Sequence, residues 1–276
     1  MRAPLALLLA SLAGPALAQT MLDQEERLIE LHSLLLALPA LEAPGALAPL
    51  QARLGLEVVG VPLIDGKTGA KTQLTASDRT RVIPRLRGAL GLPLAGAWRA
   101  FVGVGWIPPV EINRASSSMI GIEAGLSFSN GPFAAGLRLH GEVADSKSPV
   151  TDPATRDRLV TRIGGADLQA GWRFDLGPIG LTPYAGVGAA RVDGTFTVTS
   201  DRYVLTSRTT ALALSAGLRL TAFGQFEAVA ELVAWPGVLV HPAFSVAWTP
   251  RFGAEGPAPR EREREAGPGR AQASLQ

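Results

Sequence analysis

Apolar residues recur at every second position in about ten segments of this chain. No single motif limits what it can fold into as strongly as this alternation does. In "FAAGLRLHGEV", Phe133, Ala135, Leu137 and Leu139 face one way and Arg138, His140 and Glu142 the other. In "GGADLQAGWRFDL", Ala166, Leu168, Ala170, Trp172 and Phe174 oppose Asp167, Gln169, Arg173 and Asp175. "WRAFVGVGW", "TALALSAGLRLTA", "QFEAVAELVAW" and "HPAFSVAWTPRF" repeat the pattern. A side-chain period of two belongs to β-strands, because successive Cβ atoms point to opposite faces of a sheet. One face of each strand is continuously apolar, so the fold turns on which solvent that face meets.

The segments fall near 56–64, 80–94, 97–108, 117–129, 132–144, 162–176, 179–193, 208–222, 225–236 and 239–252. Each can supply the roughly 9 to 11 residues of a tilted membrane strand. Pro84 and Pro93 cannot donate to a ladder and belong near strand ends or bulges. Short connections such as "SNGP" and "AFGQ" alternate with long polar ones, "IDGKTGAKTQLTASDR", "PVEINRASS", "ADSKSPVTDPATRDRLVTR" and "DGTFTVTSDRYVLTSR". This rhythm predicts an up-and-down antiparallel barrel of about ten strands (8–12) with short turns at one end and long loops at the other. An even count leaves both termini on the periplasmic side.

Ahead of the strands the pattern differs. "MRAPLALLLASLAGPALAQT" has a positive start at Arg2, an apolar stretch and an A-x-A site at 16–18, so residues 1–18 read as an export signal. Residues 19–54 read as a periplasmic helical segment. Within it, 22–38 forms an amphipathic helix on Leu28, Leu31 and Leu35, stopped by Pro39, and a second short helix is possible in "GALAPLQARLG". This segment is expected to lie in the periplasm or in the periplasmic mouth of the barrel, and His32 to be a partly exposed helix residue. Residues 55–252 form the barrel. Residues 253–276, rich in Gly, Pro, Arg and Glu, read as a disordered periplasmic tail.

A soluble barrel or sandwich would turn its apolar face inward and carry charge on most of the other face. Only 18% of this chain is charged, against about 25% in ordinary soluble domains, and the second face is largely Gly, Ala, Ser and Gln. Trp98 and Trp106 lie eight residues apart on one face. At about 3.3 Å per residue and a tilt near 40° they span roughly 20 Å, close to the roughly 25 Å apolar band of a membrane barrel. Trp172, Trp235, Trp248 and Phe252 also stand near strand ends, so all six aromatics are expected at the membrane interfaces. The apolar face, including Leu137, Leu168, Leu214, Leu232 and Phe244, is then the outer, lipid-facing one.

"PRLRGALGLPL", "FVGVGWIPPVEIN", "LTPYAGVGAARV" and a last strand ending in Phe252 resemble a group of uncharacterised Gram-negative outer-membrane β-barrel proteins over most of 55–252. The resemblance implies an outer-membrane location, a signal peptide, and recognition of the last strand by the barrel-assembly machinery. In that group the aromatic usually ends the chain, whereas here 24 residues follow it. The group carries no established activity. A fainter likeness to long-chain fatty-acid channels supplies no residues.

If the apolar face meets lipid, the other face lines the lumen with Arg85, Arg87, Glu123, Arg138, His140, Glu142, Asp167, Gln169, Arg173, Arg219, Glu227 and Glu231. Two readings follow: the charges pair and fill a closed interior, or they line a narrow path for a small or hydrophobic molecule, a porin-like transport role. An enzymatic reading would join His140 and Glu142 to Ser127 or Ser215, in the manner of lipid hydrolases. No "GxSxG" or "HxSN"-like stretch accompanies them, so the chain is read as a channel and not as an enzyme. Adhesion through the loops is a further alternative. No cofactor or metal is expected, since no His or carboxylate cluster has ligand spacing and the chain has no cysteine. Scattered basic residues and a net charge of +2 give nucleic acid no footprint.

Overall fold

The computed structural model describes residues 21–38, 47–62, 80–94, 96–112, 114–148, 156–200 and 202–250. The signal segment 1–18, the tail 253–276 and Phe252 lie outside these residues. A helix, α1 (Met21–Leu36), precedes eleven strands: β1 (Ala52–Gly60), β2 (Val82–Leu92), β3 (Trp98–Ile112), β4 (Ala115–Asn130), β5 (Phe133–Ser148), β6 (Asp157–Trp172), β7 (Phe174–Leu176), β8 (Ile179–Val198), β9 (Tyr203–Ala222), β10 (Phe226–Trp235) and β11 (Leu239–Trp248). The three-residue β7 prolongs β6 past a break at Arg173 and pairs with the start of β8. The staves of the barrel therefore number ten among the described residues.

Counting β6 and β7 as one stave, every stave is antiparallel to its neighbours. The ring closes where β1 meets β11, with Leu54 beside Trp248 and Val58 beside Phe244. Closure leaves no open edge, which is what a sheet surrounded by hydrocarbon requires. β1 begins and β11 finishes at one end, where the links between strands are short; we call it the turn end. Gly131 and Gly177 make the tight turns there with φ of 58° and 70°, left-handed values that cost glycine little. The opposite end is the crown end.

The alternation sets the faces as the period requires. Leu137, Leu168, Leu214, Leu232 and Phe244 are 46 to 55% exposed on the outside of the ring. Their neighbours in sequence point inward. The strands depart from the sequence reading at the crown end. "PVEINRASS" and "DGTFTVTSDRYVLTSR" are mostly strand, and β8 and β9 run 20 residues each. Thr195, Thr197 and Thr206 continue the ladder with polar outward side chains, so pairing outlasts the apolar face. Pro108 and Pro109 fall where the β3–β4 register shifts between Ile107 and Val110, a bulge that accommodates two residues lacking an N–H. The second short helix is absent among the described residues, and β1 starts at Ala52 instead.

The main correction concerns α1. It does not lie at the mouth of the barrel on the periplasmic side; it occupies the lumen. Leu34, Leu36, Ala37 and Leu38 are at most 2% exposed, and Ile29, Leu31 and Leu35 are also buried. The side chain of Leu28 is outside the described set. From Ser33 onward the segment is buried around its whole circumference, so it must sit inside something.

Candidate functional site

The lumen has two halves of different chemistry. Toward the crown end its wall is apolar. Ile163, Val192, Ala211 and Val233 pack on Leu31 and Leu34, while Val59, Ile83, Ile107 and Met119 pack with Leu35, Leu36 and Leu38. Ile29, near the start of α1, meets Leu159 and Leu205. Glycines let the helix approach. A Cβ on Gly105 would come within 2.7 Å of a Leu38 methyl, and one on Gly194 within 2.5 Å of Ile29.

Polar groups fix the helix in this seat. His32 Nε2 lies 2.8 Å from Ser146 Oγ, and Ser33 Oγ lies 3.1 Å from Thr161 Oγ1. Arg27 donates to the carbonyl of Gly237 in the β10–β11 turn. At the other end of α1, Arg85 Nη2 donates to Leu35 O at 2.6 Å and Arg138 Nη2 to Leu38 O at 2.9 Å. The last carbonyls of a helix have no partner within it and carry partial negative charge, so two guanidinium groups are suited to that position. α1 thus starts toward the crown and ends near the middle of the barrel. The chain reappears at the turn end, where Leu50 N donates to Gly91 O at 2.9 Å.

Below the helix the wall is charged. Arg87 bridges Glu57 at 3.0 Å and Glu123 through Nε at 2.6 Å. Arg138 joins Glu123 at 3.1 Å to Asp167 at 2.6 Å. His140 lies between two carboxylates, with Nδ1 2.6 Å from Glu142 and Nε2 3.5 Å from Asp167. Glu227 takes Arg53 at 2.7 Å and also Arg219. Tyr184 donates to Glu231 at 2.7 Å. Gln169 is buried on the same inward face. Chains of alternating charge of this kind let buried ions meet partners, which burial otherwise makes costly.

One expected position is refined and one is corrected. Arg173 keeps the inward parity, between the outward Trp172 and Phe174, but stands at the rim of the turn end, close to Gly180, 53% exposed and paired with Asp175 at 2.6 Å. The alternation runs on through the break, with Trp172, Phe174 and Leu176 all outward, so Arg173 differs from the other inward residues by its height at the rim. Trp235 is not at a membrane interface. It shares the inward parity of Glu227 and Glu231, is 5% exposed, and packs with Leu31 and Leu34. Trp98, Trp106, Trp172 and Trp248 are each 45 to 49% exposed on the outer face.

Sequence reasoning missed Arg53, Glu57, Tyr184 and His241, all buried inward. Starting β1 at Ala52 would have placed Arg53 and Glu57 opposite Leu54 and Leu56. The strict alternation of "VHPAF" places His241 inward between Val240 and Pro242. His32 is half-buried, and its ring is engaged by Ser146 and Ser117 of the wall. Among the described residues no group of three or more His, Asp or Glu is arranged to hold a metal ion. No helix there is long and apolar enough to cross a membrane.

No protein-family model matches the chain, and no curated relative matches it. Solved structures similar to it include the translocator domain of the autotransporter NalP from Neisseria meningitidis, 12% identical over 83% of this chain and 95% of that one, with a TM-score of 0.46. The β domain of the Bordetella autotransporter BrkA is 12% identical over 74% and 99%, with a TM-score of 0.43. LpxR from Salmonella typhimurium is 10% identical over 71% and 99%, with a TM-score of 0.35. Likenesses at these values assign this chain no activity.

Proposed function

We propose that the chain is an outer-membrane barrel, closed at rest by its own helix α1, that conducts a small molecule when the helix leaves its seat. The observation that carries this reading is α1 itself. It fills the apolar half of the lumen, yet it is joined to β1 only through the segment after Leu38 and is held by side-chain contacts. The outward apolar face, the four exposed tryptophans and the export pattern of residues 1–18 support the location. The role is conduction without a catalytic step. Assembly proceeds through recognition of the last strand, β11, by the barrel-assembly machinery.

Planar-bilayer recording tests it. The mature chain should be nearly silent, and a chain lacking 21–38 should show a steady conductance. An open pore in the mature chain would overturn the closure by α1. A second reading, a structural barrel with a filled interior, is favoured by the Glu57–Arg87–Glu123–Arg138–Asp167 chain of ion pairs. Silence of both proteins after verified insertion would select it.

A further inference from the structure

The two edges of the apolar band differ. Toward the turn end the band is bounded by aromatics: Trp172 pairs with Phe133, and Trp98 stacks at a tilt on Phe128 with centroids 5.3 Å apart. Toward the crown, on the flank made by β5, β6, β8 and β9, it is bounded by arginine. Neighbouring rungs of the sheet show the change. Leu137, Leu168, Val187 and Leu214 lie side by side, and the next outward rung is Leu139, Ala166, Ala189 and Leu212. One rung further is Gly141, Gly164, Arg191 and Thr210, and the one after it is Val143, Arg162, Asp193 and Arg208. Arg158 follows beyond them, with Lys147 beside it.

These arginines are exposed and point outward. Arg191 and Arg208 share Asp193, and Arg158 pairs with Asp145, so the basic groups outnumber the acidic ones. On β2 and β11, across the ring, the outward strand positions at this end are Val82, Pro84, Val240 and Pro242. The height is informative. Arg162 stands ten residues above Trp172 on β6, which at about 3.3 Å per residue and a tilt near 40° projects to roughly 25 Å, the height of the apolar band. Arg162 therefore stands at the level where hydrocarbon gives way to headgroups, and its flexible stem can lie along the band while its guanidinium reaches up.

We infer that Arg162, Arg191 and Arg208 form a binding site for the phosphate groups of a phosphorylated glycolipid in the leaflet at the crown end. This rests on the membrane reading above. Planar guanidinium groups match phosphate oxygens in pairs, and a site above a lipid-facing leucine surface holds acyl chain and headgroup together. The site lies on the flank made by β5, β6, β8 and β9.

The test uses the mature chain inserted into phosphatidylcholine bilayers doped with diphosphoryl lipid A or with lipid A stripped of phosphate. Insertion is scored separately by heat-modifiable migration. Lipid retained after gentle extraction is measured by native mass spectrometry. The wild type should retain the diphosphoryl form in preference to the stripped one. Arg162→Gln/Arg191→Gln/Arg208→Gln should lower that retention about a hundredfold, and Arg173→Gln at the turn end should not change it. Asp193→Asn, which frees two arginines without touching the apolar band, should raise it. Should the triple variant fail to insert, Asp193→Asn and Arg162→Gln alone decide. Equal retention of both lipids by the wild type, or variants that retain lipid as the wild type does, would overturn the site. A wild-type chain that does not insert overturns the membrane reading, and the site with it.

Discussion

Leu214 and Ser215 are neighbours with opposite surroundings. Leu214 is 51% exposed on the outer face, beside Val187 and Ala234, in the middle of the band, whereas Ser215 points into the lumen. Leu214→Arg should cost about 2 to 4 kcal/mol near a bilayer midplane, read from urea unfolding in lipid, while Arg at Lys71, in a polar loop by sequence, should cost little. Equal tolerance at the two positions would contradict the outer face. Inside, Arg138 holds Glu123, Asp167 and the end of α1 together. Arg138→Leu leaves those buried carboxylates short of a partner and should cost about 3 to 5 kcal/mol, measured the same way. Parity made most of this legible in the sequence: once Leu137 faces out, Arg138 faces in. Where parity was set aside the reading failed. Trp235 was judged by nearness to a strand end, although Glu231 two turns of the alternation earlier already pointed its face inward. Arg173 obeys parity, but parity carries no height and did not show that it stands at the rim.

Among the elements, the helix was legible as a helix and illegible as a plug. The stretch "HSLLLAL" contains the missing signal, because Leu34, Leu35, Leu36, Ala37 and Leu38 leave no polar stripe for solvent. Its destination was not legible, since the lumen that receives it is assembled from five strand pairs far away in sequence. Gly105 offers a direct test of the seat. Gly105→Leu would place a side chain where the methyls of Leu38 lie, only 2.7 to 2.8 Å from the new Cβ. The end of α1 should then be displaced. The chain has no native cysteine, so Ala37→Cys can report it: the thiol should be shielded in the otherwise native protein and labelled rapidly by maleimide alongside Gly105→Leu. Equal shielding in both would mean that the helix tolerates the added bulk. The crown-end strands carry the complementary lesson. Hydrophobic periodicity finds a strand only while one face is greasy, so the ladder beyond Arg191 read as loop.

At the scale of the whole molecule, closure depends on β11 meeting β1. Truncation after Phe252 should leave a heat-modifiable, inserted barrel, and deletion from Trp248 should leave protease-sensitive chain, because Trp248 is paired with Leu54 at the seam. Loss of insertion on removing only the tail would redraw that boundary. The position of α1 also has a consequence for the order of events. α1 begins toward the crown, Leu38 lies mid-lumen, and Leu50 is bonded at the turn end, so α1 and β1 are joined within a ring that the later strands complete. A hydrogen-bonded ring cannot be entered sideways. Either the helix is captured as the seam zips shut, or it threads a finished hole against the friction of a packed interior. The first course avoids opening a sheet in which unsatisfied backbone groups cost several kcal/mol each in lipid. Pulse-labelled chain should therefore show α1 protected from protease no later than the heat-modifiable form appears. Protection that clearly lags behind it would mean the helix is a late arrival in a vessel already closed.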